Sequence, residues 1–205
     1  MRQEFCYLCR TILNNMETTN QELVNIYAEA TPNPETMKFV ANRMILPNDS
    51  ADFQTRESAL RSPLATALFE KPYVNAVFIM NNFVTVTKLS TFDWSDIMQE
   101  LRAFMKDYLE AGKVILNPRE EKLSDEEESE VVQKIKDLLD MHVKPAVEMD
   151  GGAISFKSFD EGVVKVVLKG ACSGCPSSTI TLKSGIENLL KRMVPEVEAV
   201  EAEAE

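Results

Sequence analysis

Gly170-Ala171-Cys172-Ser173-Gly174-Cys175-Pro176-Ser177-Ser178-Thr179 lies between a valine-rich run, Val163 to Leu168, and an apolar-periodic run, Ile180 to Met193. The first run predicts a strand and the second a helix, so both thiols stand on a small-residue strand-to-helix turn. Pro176 suits the first helical position, where its missing N–H costs nothing. The thiols therefore fall at or just before a helix N-terminus, whose partial positive charge favours thiolate. Thiolate is the form that ligates metal or attacks a disulfide.

Working outward, the residues before the turn read as a helix and a hairpin. Val131, Ile135, Leu138, Leu139, His142, Val143, Ala146 and Val147 form a helical stripe, with His142 at the core edge and a kink expected at Pro145. Asp150-Gly151-Gly152 ends that helix and reverses the chain into a strand from Ala153 to Phe159. Asp160-Glu161-Gly162 turns it back into Val163 to Lys169. After the cysteines, Ile180, Leu182, Ile186, Leu189, Leu190 and Met193 are expected to face inward, with a short strand from Val197 to Glu201. Ala202 to Glu205 reads as a disordered acidic tail.

The first half has its own pattern. Strand-like runs cover Leu23 to Ala30 and Met37 to Leu46, either side of Thr31-Pro32-Asn33-Pro34. A short helix is expected from Pro63 to Glu70. Val74 to Met80 and Phe83 to Leu89 flank Asn81-Asn82, a hairpin signal because Asn tolerates positive φ. Trp94, Ile97, Met98, Leu101, Phe104, Met105 and Tyr108 recur at helical spacing as a core face, and Gly112 is placed to stop that helix. This half is expected to hold two hairpins and two helices. Between the halves, Asn117-Pro118 and the charge-dense Arg119-Glu120-Glu121-Lys122 break periodicity, and Ser124-Asp125-Glu126-Glu127 resembles a helix-starting cap. The expected fold class is α/β of the α+β type: two small two-layer domains, each a small sheet packed with helices. The expected division is a flexible tail over 1–22, a domain over 23–112, a charged flexible linker over 113–128, a domain over 129–201, and the tail over 202–205.

Composition narrows the function. The 205 residues are 44% hydrophobic and 27% charged, an ordinary globular balance, with a net charge of −11. That charge argues against a nucleic-acid partner. No apolar run approaches the roughly 20 residues that span a bilayer, so no membrane partner is expected. The N-terminus has no apolar core of a signal peptide, and the cytoplasm is the expected compartment. Met16 is a candidate alternative start. The four cysteines fall into two CxxC pairs, Cys6/Cys9 and Cys172/Cys175. Cys6 and Cys9 lack a flanking strand or small-residue turn and read as incidental.

For Cys172 and Cys175 the residues leave several chemistries open. Structural zinc takes four ligands, and this half adds only His142, the single histidine, to two thiols. A thiol–disulfide oxidoreductase would place its pair at a similar turn, but prefers a strand–helix–strand context where here a hairpin precedes. An iron–sulfur cluster with four cysteine ligands could be completed by two subunits across a two-fold axis. The small residues around the sulfurs leave room for it. Ser177, Ser178 and Thr179 read equally as sulfide hydrogen-bond donors or as ordinary first-turn caps.

Residues from about Glu130 to Val200 resemble the C-terminal domain of NifU, the Nfu family, through Pro145-Ala146-Val147-Glu148-Met149-Asp150-Gly151-Gly152 and the cysteine stretch. Ala28-Glu29-Ala30-Thr31-Pro32-Asn33-Pro34-Glu35-Thr36-Met37-Lys38-Phe39 resembles the opening of the Nfu N-terminal domain. The resemblance implies a carrier, not an enzyme, that holds a 4Fe-4S cluster (or alternatively 2Fe-2S) between two subunits. Cys172 and Cys175 are the implied ligands. The implied partners are an upstream cluster-assembly scaffold, apo iron–sulfur proteins as recipients, and a second copy of the chain when the cluster is bound.

Overall fold

The computed structural model describes residues 23–118, 129–173 and 176–204. The first half is an antiparallel sheet of β1 (Ile26–Ala30), β2 (Thr36–Ala41), β3 (Leu46–Phe53), β4 (Val74–Asn81) and β5 (Phe83–Lys88), ordered β1-β2-β5-β4-β3. The β4–β5 hairpin closes on Asn81-Asn82, as the sequence predicts: Asn81 takes φ 46°, in the left-handed region Asn tolerates. Helix α1 (Pro63–Phe69) starts on Ser62, whose hydroxyl accepts the Ala65 N–H at 3.1 Å. Helix α2 (Trp94–Glu110) stops before Gly112, which takes φ 61°.

Strand periodicity gives this sheet two faces. Phe39, Val77, Ile79, Val84 and Val86 pack with Leu64 and Leu68 of α1 and with Leu101 and Met105 of α2 in one core. The opposite face presents Phe78, Met80 and Phe83, which pack with Ala153 of the second half.

The second half runs α3 (Glu130–Leu138), a π-helical segment (Leu139–Val143), α4 (Lys144–Met149), β6 (Gly152–Asp160), β7 (Val163–Gly170), α5 (Pro176–Met193) and β8 (Ala199–Ala204). Strand β7 pairs antiparallel with β6 and parallel with β8. A parallel pair needs a crossover, and α5 supplies it. Ile135, Val147, Val164, Val166, Ile186 and Leu190 form the core. The architecture is thus α+β, with two sheets, each packed with helices.

Several local expectations change. The strand read over Met37 to Leu46 is two strands: β2 ends at Ala41 and β3 begins at Leu46, so the half has five strands. Pro47, Asp49 and Asp52 hid β3, because all are depleted in strands. The kink expected at Pro145 takes the form of a π segment just upstream. Pro145 has no N–H for the Met141 carbonyl, and the preceding turn widens. His142 is exposed rather than at the core edge, and Ile180 and Met193 also face outward. The residues read as an acidic tail continue as strand to Ala204, because β7 offers a backbone ladder that pairs Val166 with Ala202 and Leu168 with Ala204.

The start of the linker, too, lies against the first half. The Ile115 carbonyl accepts Ser62 Oγ at 2.6 Å, and the Asn117 N–H donates to the Arg61 carbonyl at 3.0 Å. Ser129, whose Oγ accepts the Val132 N–H at 3.3 Å, caps α3. The tail expected over 1–22 with Cys6, Cys9 and Met16, the charged stretch over 119–128 with the cap expected at Ser124, and Cys175 lie outside the described residues.

Candidate functional site

Strand β7 ends on Gly170, whose φ of 65° turns the chain out of the sheet. The Ser173 N–H donates to the Gly170 carbonyl at 3.1 Å, closing a four-residue turn in which Cys172 is third. Ser173 Oγ donates to the same carbonyl at 2.9 Å, and the Ala171 N–H donates to the Gly151 carbonyl at 3.2 Å. Backbone thus holds the turn at both ends before Pro176 opens α5.

Cys172 is 6% exposed and packs into the second-half core. Gly152, opposite Gly170 in the β6–β7 ladder, makes room for it. A Cβ at Gly152 would stand 2.9 Å from Cys172 Sγ and 2.6 Å from the Lys169 carbonyl oxygen. A crevice of about 410 Å³ opens beside Cys172, lined by Ala146, Val147 and Asp150 on one side and Thr181 and Leu182 on the other, with Pro32 of the first half at its edge.

The expected site residues therefore divide. Cys172 stands on the strand-to-helix turn where the spacing put it. Cys175 lies outside the described residues, as do the side chains of Ser177, Ser178 and Thr179. No group of three or more His, Cys, Asp or Glu able to hold a metal ion occurs among the described residues. The exposed His142 belongs to no such group. No helix among the described residues is long and apolar enough to cross a membrane.

Sequence reasoning missed the first-half residues that reach this turn, Asp52, Gln54, Thr85 and Phe78. For Phe78 a signal existed in β4, Val74-Asn75-Ala76-Val77-Phe78-Ile79-Met80-Asn81, which is apolar at nearly every position. A strand with one face in water alternates; one covered on both faces does not.

Two family models match the chain. The one described as "Scaffold protein Nfu/NifU N terminal" covers residues 26–112, and the one described as "NifU-like domain" covers residues 135–201. The human protein named "NFU1 iron-sulfur cluster scaffold homolog, mitochondrial" is 40% identical over 179 residues, covering 86% of this chain and 70% of its own length. "NifU-like protein 4, mitochondrial" of Arabidopsis thaliana is 42% identical over 185 residues, covering 87% of this chain and 65% of its own. The chain therefore spans about two thirds of these relatives' length. A solution structure of a NifU-like protein from Saccharomyces cerevisiae aligns with 49% of this chain and 90% of its own, at 22% identity and a TM-score of 0.44.

The names of the relatives overturn the cytoplasmic expectation, since both are called mitochondrial. Composition and paired cysteines speak to the redox state of a compartment and do not separate one reducing compartment from another.

Proposed function

The chain belongs to the Nfu/NifU scaffold family, and on that basis we propose that it carries an iron–sulfur cluster from an upstream assembly scaffold to apo-proteins, in mitochondria. Cys172 and Cys175 are the protein's ligands. The cargo is a 4Fe-4S cluster held between two copies of the chain. The observation that carries this reading is the Cys172 turn: a thiol at the end of β7, with room made by Gly152, beside an accessible crevice and just before a helix that opens on proline.

One subunit supplies two thiolates, and a cubane takes four, so a two-fold axis completes the set. The helix N-terminus favours the thiolate form. Delivery is ligand exchange: a recipient thiolate forms an Fe–S bond as a Cys172 or Cys175 thiolate leaves, and the leaving sulfur takes the proton the recipient gave up. No electron is transferred and no bond within the cluster breaks. Two thiolates per subunit hold the cluster loosely enough to leave, which suits delivery better than electron storage. The protein acts as a carrier and not as an enzyme. The two matched segments act as separate domains, the second binding the cluster and the first meeting partners.

Anaerobic reconstitution with iron and sulfide tests this. The expected product is a dimer with about two irons and two sulfides per protomer and broad absorption near about 400 nm. A protein that stays monomeric and metal-free under these conditions overturns the reading.

A further inference from the structure

The outer face of the first-half sheet does more than cover apolar surface: its polar side chains grip the backbone from which Cys172 hangs. An Asp52 carboxylate oxygen accepts the Gly170 N–H at 2.9 Å, at the residue whose carbonyl closes the cysteine turn. Thr85 Oγ1, on a residue 1% exposed, donates at 2.6 Å to the Gly151 carbonyl, which also accepts the Ala171 N–H. Gln54 Nε2 reaches Ser173 Oγ at 3.4 Å, at the turn's far end. Lys38 Nζ donates to the Glu148 and Met149 carbonyls at 3.1 and 3.2 Å, satisfying the C-terminal end of α4 just before the glycine corner.

Sterics reinforce these bonds. A Cβ at Gly170 would lie 2.7 Å from Phe78 Cδ1, and one at Gly151 would lie 2.9 Å from Thr85 Oγ1. Both glycines have positive φ, 65° and 80°, so each corner is a place where only glycine lets the halves approach. The lysine is 9% exposed and keeps its partners: Glu29 at 3.6 Å and the face of Phe83 at 4.7 Å. Docking adds the two α4 carbonyls to the partners the lysine already has within the first half.

We propose that Asp52 and Thr85, supported by Lys38 and Gln54, are positioning residues for the cysteine turn, and that docking of the first-half sheet sets how tightly the second half keeps its cluster. The hydrogen bonds orient Cys172 before iron arrives, so less ordering is needed on binding and ligand exchange is slowed. The geometry stands on its own; the consequence for release rests on the carrier reading above.

The test uses the full chain and the variants Asp52→Asn, Thr85→Val and Thr85→Ser. Two rates are measured: anaerobic cluster loss to an iron chelator, and amide hydrogen exchange over residues 170–173 in the metal-free protein. Asp52→Asn and Thr85→Val are expected to bind a normal amount of iron, lose it several-fold faster, and exchange these amides about tenfold faster, the size of one lost hydrogen bond. Thr85→Ser, which keeps the hydroxyl, is expected to behave as wild type. Wild-type or slower release by Asp52→Asn and Thr85→Val overturns the proposal. If the wild-type chain takes up no cluster, the carrier reading fails, and hydrogen exchange alone decides: unchanged rates in both variants overturn the latch.

Discussion

At the scale of single residues, the space around one sulfur dominates. Cys172 is buried because Gly152 has no side chain where the thiol lies. Gly152→Ala forces a methyl between Lys169 and Cys172, and neither side is a long flexible chain that can swing away. The expected cost is about 1–3 kcal/mol, typical of overpacking a close-packed core. Urea denaturation checks it. The displaced thiol should also lower the iron bound on reconstitution; normal stability and iron content would show that the contact is easily relieved. Cys172→Ala removes a ligand and little volume, so circular dichroism should stay near wild type while bound iron is lost. Retention of a normal cluster would remove Cys172 from the ligand set.

At the scale of elements, α5 and β8, which share a core, are also hydrogen-bonded through one side chain. Glu187 accepts from Lys191 Nζ at 2.6 Å, four residues on, and from the Val200 N–H at 3.3 Å. The lysine hydrogen bond, then the backbone one, hold its carboxyl below the usual glutamate range. A carboxyl lowered on folding stabilises above its unfolded value, about 4.3, and that contribution is lost as pH falls through the lower folded value. Glu187→Gln should therefore have a lower Tm than wild type at neutral pH, with the gap closing below about pH 4. A gap that is constant with pH would show that the ion pair is not responsible.

Elements also show what was readable in advance. Asn81-Asn82, Asp160-Glu161-Gly162, Gly112 and Pro176 stand where turn and cap chemistry placed them, because each acts on its own few residues. Strand β3 was obscured, since Pro47, Asp49 and Asp52 contradict local propensity while Leu46, Ala51 and Phe53 pack into the core. Asp52 is thus an acid inside a strand, and its carboxylate meets the Gly170 N–H across the junction. The residue that spoils the strand pattern is the one that reaches the site.

At the scale of the whole molecule, the five-stranded sheet is a shared wall, with helices on one face and the second half on the other. Phe78 centres the junction: it is 2% exposed, packs with Phe83 at 6.0 Å between ring centroids, and fills the space that a glycine at position 170 leaves. Phe78→Ala should destabilise the protein by about 3–5 kcal/mol, the range for losing a buried aromatic ring. Because Phe78 and Gly170 touch, Gly170→Ala should cost less in the Phe78→Ala background than in wild type. Guanidinium denaturation of the four proteins measures this. Additive losses would mean that the halves do not dock through this pair.

The amino-acid sequence by itself determined the order of helices and strands in the second half, the hairpin turns, the cysteine turn and the family resemblance. All of these depend on residues within one or two turns of each other, where periodicity, proline and glycine act directly. Tertiary structure alone decided that β8 lies parallel to β7, which surface covers the outer face of the first sheet, and that Asp52 and Thr85 hold the cysteine turn. Asp52 is 118 positions from Gly170, and Thr85 is 66 from Gly151. Contacts across such separations form when folding brings two completed surfaces together, and local pattern does not specify which surface meets which.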